Sequence, residues 1–225
     1  DKIHLKSICP METEERYINK GEWLSVALKR QGYPLIPSNV IIDKTVTGLG
    51  ITHMEVHSPR PSIIIEPNVP VIIGKAEGKA NRLAVYELCT KPMIREFLQR
   101  KDLKHKKLIT TPEGFKKIKE VAEALGIDIF KEYFCLFDEC EKIIQDVDYR
   151  SRIAQPINDF FEFEGKAMVS ATPLEMRHPK LKEQNFRKLK IIPLYDYRKD
   201  MTLIPTRSFD RTVKEQLRRL LQTSP

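Results

Sequence analysis

The sequence predicts an α/β protein built on a mostly parallel sheet with helices on both faces. Short unbroken apolar runs recur along the chain, separated by longer segments with apolar residues at helical spacing. Unbroken apolar runs are typical of strands that are buried on both sides, as in parallel sheets. Their alternation with helical segments is the pattern of a parallel sheet covered by helices.

The composition limits the classes of protein to consider. The 225 residues are 41% hydrophobic and 31% charged, as in a globular chain with a substantial core. The apolar runs are too short for a membrane span and no signal peptide is recognised, so we expect no membrane partner. The net charge of +8 permits a polyanionic partner without requiring one.

The cysteines and histidines give no sign of a metal site or a disulfide. The four cysteines, Cys9, Cys89, Cys135 and Cys140, contain no CxxC pair, and the five histidines are scattered. Reduced thiols are usual in a cytoplasm. We therefore expect a cytoplasmic protein without structural zinc.

The first elements are expected in residues 1–65. Residues 1–37 are predicted to be a mostly helical leader with one apolar face, made by Trp23, Leu24, Val26, Ala27 and Leu28. Residues 40–42 are a β-branched run that predicts a strand, and Ser62–Ile65 predicts a second one.

The later elements continue the alternation. Strands are predicted near residues 83–86, at 106–110, 133–137 and 165–169, and in an extended segment at 189–195. Helices are predicted at 92–99, 115–125, around 160 and from 208 onward. We take residues 38–195 as the main domain and 196–225 as a linker and helix.

A glycine loop follows the strand at residues 40–42. Compared with the phosphate-binding pattern G-x-x-x-x-G-K-[ST], the loop matches at Gly50 and Thr52. It has Thr45 at the first glycine position and Ile51 at the lysine position. Glycines allow the backbone to approach a phosphate closely, and the Thr52 hydroxyl is placed to reach Mg²⁺.

The missing lysine removes a positive charge from the β- and γ-phosphates. No neighbouring residue replaces it convincingly, and Lys44 and Lys75 are the possible stand-ins. A plain glycine turn is the simpler alternative for this loop.

An apolar run at residues 133–137 stops at two adjacent carboxylates, Asp138 and Glu139. Sheets of α/β proteins bind ligands at the carboxyl ends of their strands. One carboxylate there can hold Mg²⁺, usually through water, and its neighbour can orient and deprotonate an attacking water. The alternative is a surface Asp-Glu pair that caps the next helix.

Polar segments follow the strands in a fixed order, TGLGIT, EPN, TTPEG, DECE and SATP. Over residues 38–195 this order resembles the first RecA-like domain of superfamily 2 helicases of the DExx-box type. The pair DECE and SATP is the specific part of the resemblance. It implies a RecA-like P-loop NTPase fold, ATP and Mg²⁺ as cofactors, and DNA or RNA as the partner. It also implies a second RecA-like domain of the same full-length chain, which supplies arginines to the ATP cleft.

The resemblance also implies roles for single residues. The phosphates would be cradled by Thr47, Gly48, Leu49, Gly50, Ile51 and Thr52. Asp138 and Thr52 would hold Mg²⁺, and Glu139 would activate the hydrolytic water. Ser170 and Thr172 would link the γ-phosphate to domain movement. The sugar-phosphate backbone of a nucleic acid would contact Asn68, Thr111 and Gly114.

The sequence thus predicts the ATP-binding domain of a helicase-like, nucleic-acid-dependent ATPase. A pseudoenzyme that uses the same fold to bind nucleic acid or protein is the alternative, and Ile51 favours it. The intact pairs Asp138-Glu139 and Ser170-Thr172 favour retained hydrolysis. A small α/β nucleotide enzyme such as a kinase is a third class, which SATP disfavours.

Overall fold

The structure is a computed structural model that describes residues 11–140, 154–170, 178–197 and 205–223. The strands are β1 Thr13–Ile18, β2 Val40–Asp43, β3 Ser62–Ile65, β4 Arg82–Val85, β5 Lys107–Thr110, β6 Phe134–Phe137, β7 Gly165–Ser170 and β8 Arg187–Pro193. The helices in these ranges are α1 Leu24–Arg30, α2 Ile51–Val56, α3 Val69–Ala76, α4 Lys91–Gln99, α5 Pro112–Leu125, α6 Ile129–Glu132, α7 Ala154–Phe160, α8 Pro179–Glu183 and α9 Phe209–Thr223.

The strands form a single eight-stranded sheet in the order β1-β8-β2-β7-β6-β3-β5-β4. Every neighbouring pair in it is parallel. The predicted α/β class with a parallel sheet is therefore confirmed. Strand β2 lies between β7 and β8, and the strand before it in sequence, β1, and the strand after it, β3, lie on opposite sides of it in the sheet. A strand in this position marks the switch point where open α/β sheets bind ligands.

Strands β2, β3, β5 and β6 are buried on both faces because helices cover each side of the sheet. Along β2 and β3, successive isoleucines alternate between two apolar clusters, since neighbouring side chains of a strand point to opposite faces. One cluster includes side chains of α4, α5 and α7, and the other includes side chains of α1, α2 and α3. Burial on both faces explains why the apolar runs do not alternate with polar residues.

Residues 11–37 differ from the helical leader predicted for residues 1–37, of which residues 1–10 lie outside the described residues. Strand β1 pairs with β8 along its whole length, and α1 follows it. The predicted apolar face is also wrong in part, because the side chains of Trp23 and Val26 are exposed. Strand β1 has the sequence TEERYI, and it lies at the edge of the sheet, where polar and charged side chains are common. Its composition therefore hides it from an analysis based on apolar runs.

The chain divides into two compact units, residues 1–195 and residues 196–225, and the second contains α9. In the described ranges, no helix has the length and apolar character needed to cross a membrane. Cys89 and Cys135 are buried free thiols, Cys140 is also buried, and Cys9 lies outside the described residues.

A buried ionic network lies where β3 and β5 begin. Lys107 is completely buried, and its Nζ donates to the carbonyls of Glu55 and Arg60 and to the hydroxyl of Ser58, each at 2.7 Å. It also donates to the Ser62 hydroxyl at 2.9 Å. The buried Glu55 carboxylate accepts two hydrogen bonds from Arg60, at 2.9 and 2.6 Å. Burial lowers the pKa of Lys107 to about 8. The network therefore ties α2 to the amino ends of two strands.

We predict that Lys107→Met lowers the free energy of unfolding by about 3–5 kcal/mol, because it removes the cation of a buried ion pair whose Nζ lies 3.9 Å from the Glu55 carboxylate. Lys104→Met, at an exposed position in the loop before β5, is the control and should change stability by about 0.5 kcal/mol or less. Urea denaturation measures both variants. Equal losses in the two variants would contradict a structural role for the network.

Candidate nucleotide and metal site

The polar segments that were predicted to form a site follow strands that end at the same edge of the sheet. The end of β2 is in register with the end of β7, and β3 ends in register with β6. The glycine loop follows β2, EPN follows β3, and DECE follows β6. Because the strands are parallel, these loops meet at the carboxyl edge, where α/β sheets bind ligands.

Asp138 is the residue at which these loops meet. It is 3% exposed, and its Oδ1 lies 3.5 Å from Nζ of Lys44, the first residue after β2. Its Oδ1 also accepts a hydrogen bond from the backbone N–H of Glu139 at 3.0 Å, and its Oδ2 accepts one from the Thr52 hydroxyl. Nζ of Lys75, on α3, lies 3.9 Å from Oδ2. One buried carboxylate therefore contacts the glycine loop twice and α3 once.

Glu139 lies beside this carboxylate and is held by the EPN segment. Its Oε2 accepts a hydrogen bond from Nδ2 of Asn68 at 3.0 Å, and the same amide nitrogen donates to Oε1 of Glu66 at 3.0 Å. Asn68 therefore bridges the carboxylates that follow β3 and β6. This links residues that the sequence analysis had assigned to different roles.

Glu139 and Thr45 both have left-handed backbone conformations, with φ of 50° and 57°. A residue other than glycine in this region costs about 1–3 kcal/mol, and such residues concentrate at functional sites. Thr45 is stabilised by hydrogen bonds from its backbone N–H to Asp43 at 3.2 Å and from its hydroxyl to the carbonyl of Ile191 at 2.6 Å. The surrounding structure therefore fixes the entrance to the glycine loop.

The glycine loop keeps part of its predicted character. Gly48 and Gly50 have φ of 77° and 84°, the region that glycine occupies without strain. Thr47 and Gly48 are exposed, so their backbone is accessible to a ligand. Leu49 is buried, and a Cβ added to Gly50 would lie 3.0 Å from the indole ring of Trp23.

Ile51 occupies a core position. It is 2% exposed and belongs to the apolar cluster that packs α1, α2 and α3 against the sheet. The position that carries lysine in the phosphate-binding pattern therefore serves packing in this chain. Because the side chains of Leu49 and Ile51 are buried, only their backbone N–H groups could make the predicted contact with phosphate.

Thr111 and Gly114 have a clear structural role in α5. The Thr111 side chain accepts a hydrogen bond from the Gly114 N–H at 3.0 Å and so caps the helix. A Cβ added to Gly114 would lie 2.5 Å from the carbonyl oxygen of Val85, so only glycine fits there. Both residues are buried. Their contact with nucleic acid, like that of Asn68, stays a prediction.

Ser170 and Thr172 were predicted to act together. Ser170 ends β7, is buried, and its carbonyl accepts a hydrogen bond from the Lys44 N–H at 2.9 Å. Thr172 lies outside the described residues.

The donor set at Asp138 fits Mg²⁺ bound together with phosphate. Among the described residues, no group of three or more His, Cys, Asp or Glu side chains is placed to hold a metal ion. Mg²⁺ usually takes one or two carboxylates and completes its shell with water and substrate phosphates. The Asp138 carboxylate and the Thr52 hydroxyl, which contact each other, provide such a partial shell.

Two ionisable residues of the site had received no catalytic or binding role from the sequence. Glu66 is buried at the end of β3, and Lys75 reaches its Oε2 at 3.5 Å. Burial raises the pKa of Glu66, and the nearby charge of Asp138 raises it further. The sequence signal that could have identified Glu66 is its position directly after a strand, as the first residue of EPN. Lys75 had been named only as a stand-in for the missing lysine.

Comparison with known proteins gives a likeness to solved structures. No protein-family model matches the chain, and no curated protein matches it. The chain is similar to the crystal structure of the Pyrococcus furiosus Hef helicase domain, with 15% identity and a TM-score of 0.45. The match covers 82% of this chain and 43% of that chain, so this chain spans less than half the length of that structure.

We predict that Ile51→Lys destabilises the protein by about 2–5 kcal/mol, the usual cost of deleting a large buried apolar side chain. If the lysine side chain turned toward the glycine loop, it would leave a cavity in the core. If it occupied the place of the Ile51 side chain, its ammonium charge would be buried. Ile51→Val is the control, with an expected loss of about 0.5–1.5 kcal/mol. Chemical denaturation measures both, and an unchanged stability of Ile51→Lys would show that this position is not part of the core.

A second prediction concerns pH. The folded-state pKa of Glu66 is raised from its ordinary value of 4.5, so the folded protein keeps a proton that the unfolded chain has already lost. Stability should therefore fall as pH rises from about 4.5 through the raised pKa. Glu66→Gln removes this contribution, and the fall should be smaller in urea unfolding measured across this interval. The exposed Glu77→Gln should behave like the wild type, and an identical profile for Glu66→Gln would contradict the assignment.

Proposed function

We propose that this chain binds ATP with Mg²⁺ at the carboxyl edge of its sheet and is the ATP-binding domain of a helicase-like, nucleic-acid-dependent ATPase. The observation that carries the proposal is the meeting of Lys44, Thr52 and Glu139 at the buried Asp138. Thr52, Asp138 and Glu139 belong to the segments that the sequence resemblance assigns to phosphate binding, metal binding and catalysis, and Lys44 lies three residues before the first of these segments. Lys44 and Thr52 are 94 and 86 residues away from Asp138 in sequence, and Glu139 is adjacent to it.

Phosphate binding is assigned to the glycine loop. The exposed backbone at Thr47 and Gly48 and the positive φ of Gly48 and Gly50 suit close approach of phosphate oxygens to N–H groups. The hydroxyl of Thr52 and the carboxylate of Asp138 would hold Mg²⁺. When bound, the ion would neutralise charge on the phosphate oxygens.

Glu139 is proposed as the general base for the attacking water. A carboxylate that accepts the water proton must be oriented before the reaction, and the amide of Asn68 holds one of its oxygens at 3.0 Å. Asn68 is in turn held by Glu66. The structure therefore supports Asn68 as a positioning residue for Glu139, in addition to its predicted contact with nucleic acid.

Nucleic acid is the proposed partner, and a second RecA-like domain of the full-length chain is the proposed source of arginines. The net charge of +8 is compatible with a polyanion. In related phosphoryl-transfer systems, an arginine from outside the nucleotide site is worth about 10³–10⁵ in rate. We therefore expect turnover to require the longest natural chain that contains these residues.

A binding module without hydrolysis is the second candidate. The observation that favours it is the burial of Ile51, since the core has taken over the position where the phosphate-binding lysine is expected. Such a module would retain the fold and its interaction with nucleic acid or protein while turnover was lost.

Variants of the two adjacent carboxylates distinguish the candidates. In the longest natural chain, Glu139→Gln should keep Mg²⁺–ATP binding and lose turnover by about 10²–10⁴-fold, because only the base for the water is removed. Asp138→Asn should also weaken Mg²⁺-dependent binding, because a charge beside the ion is lost. The exposed Glu132→Gln is the control and should leave both properties unchanged.

Turnover is measured with and without single-stranded nucleic acid, and binding by calorimetry. Trp23 provides a second signal, because it is the one tryptophan of the chain and lies against Gly50. If the protein binds ATP but nucleic acid does not stimulate its turnover, and Glu139→Gln does not change turnover, the ATPase hypothesis is rejected. The binding module is then favoured.

A further inference from the structure

We propose that Lys44 supplies the positive charge to the nucleotide phosphates that the P-loop pattern places on the lysine before Thr52. This inference rests on the proposed function and deepens it by assigning a phosphate-binding residue. It concerns the first residue of the loop, seven positions before Ile51 in the printed sequence.

The first reason is the placement of the ammonium group. Lys44 is 8% exposed, and its Nζ forms an ion pair with Oδ1 of Asp138 at 3.5 Å. Removing a lysine from water is costly, so buried lysines are usually paired or functional. The ammonium lies on the same carboxylate that contacts the Thr52 hydroxyl, which is where a metal-bound phosphate is expected.

The second reason is the backbone on either side of Lys44, which is held in place. Its N–H donates to the Ser170 carbonyl at 2.9 Å, and the next residue, Thr45, is fixed in a left-handed conformation by two hydrogen bonds. One of these uses Asp43, whose carboxylate is itself held by Lys188 at 2.8 Å. A β-branched residue adopts this conformation only where its surroundings impose it. The backbone from which the Lys44 side chain reaches Asp138 is therefore held in place.

The third reason is that the other positions are less suited to the role. Ile51 is committed to the apolar core. Lys75 shares its charge between Glu66 at 3.5 Å and Asp138 at 3.9 Å, and its side chain is 26% exposed. Lys44 belongs to the glycine loop itself, so its ammonium and the loop N–H groups can act on the same phosphates.

The ion pair makes Lys44 a countercharge of the buried Asp138 carboxylate. A metal ion held by Asp138 would take over that role, and the ammonium would be available to a phosphate oxygen.

The test compares charge-changing variants of both lysines in the intact chain. Lys44→Gln keeps a hydrogen-bond donor for Asp138 but loses the charge, and we expect its ATP affinity to fall about 10–100-fold. Lys44→Arg keeps the charge and should stay within about threefold of the wild type. Lys75→Gln tests the other lysine near this carboxylate, and a loss in it larger than that of Lys44→Gln would assign the charge to Lys75 and overturn the inference. The exposed Lys79→Gln is the control and should stay within about threefold of the wild type.

The readouts are calorimetric binding of Mg²⁺–ATP and of AMP, with thermal unfolding of each variant measured first without nucleotide. AMP lacks the β- and γ-phosphates, so its affinity should be the same in Lys44→Gln and the wild type. A loss for both nucleotides would indicate damage to the loop and overturn the inference. Lys44→Met is a second neutral variant, in case Lys44→Gln does not fold, and the same result is required of it.

The failure of the inference differs from the failure of the proposed function. A wild type that binds ATP and a folded Lys44→Gln that binds it equally well would overturn the role of Lys44 alone. A wild type that binds no ATP would overturn the proposed function, and the inference with it.

Discussion

The parallel pairing of all eight strands is the constraint on which the candidate site depends. Because the strands run in one direction, the loops after β2, β3 and β6 leave the sheet at the same edge. Lys44 and Asp138 can therefore form an ion pair although 94 residues separate them in sequence.

The network around Lys107 fixes the amino ends of β3 and β5, where Ser62 and Lys107 are also in register. Both edges of the sheet thus carry buried charges, but their surroundings differ. At the amino edge, hydrogen bonds surround the charged groups, whereas the carboxyl edge has exposed loop backbone beside them.

Charged groups of both signs lie close together at the carboxyl edge. Glu66, Asp138 and Glu139 bring negative charge together, and the raised pKa of Glu66 reflects its burial and the proximity of the other carboxylates. Lys44, directly after β2, and Lys75, on α3, offset part of this negative charge. Buried charges are tolerated only where they are paired and hydrogen-bonded, so a cation or a phosphate that entered would exchange partners within an existing network. Such an arrangement is already oriented for a charged ligand.

The main lines of the fold could be predicted, because unbroken apolar runs identify strands that are buried on both faces. The edge strand β1 could not, since its sequence TEERYI is mostly polar. Within the site, the positions of Asp138, Glu139 and Thr52 at one edge followed from the order of strands and loops. The contact of Lys44 with Asp138 joins residues far apart in sequence, and the left-handed conformation of the adjacent Thr45 is indicated by no local pattern. The core position of Ile51 and the capping role of Thr111 likewise depend on how α2 and α5 pack on the sheet.

The most direct measurement is a crystal structure of the protein with Mg²⁺ and a non-hydrolysable ATP analogue. We expect the triphosphate in the glycine loop of residues 43–52, with the ion held by Asp138 and Thr52. A well-ordered nucleotide bound elsewhere on the sheet, or an ion bound away from Asp138, would contradict the assignment of this edge as the nucleotide site.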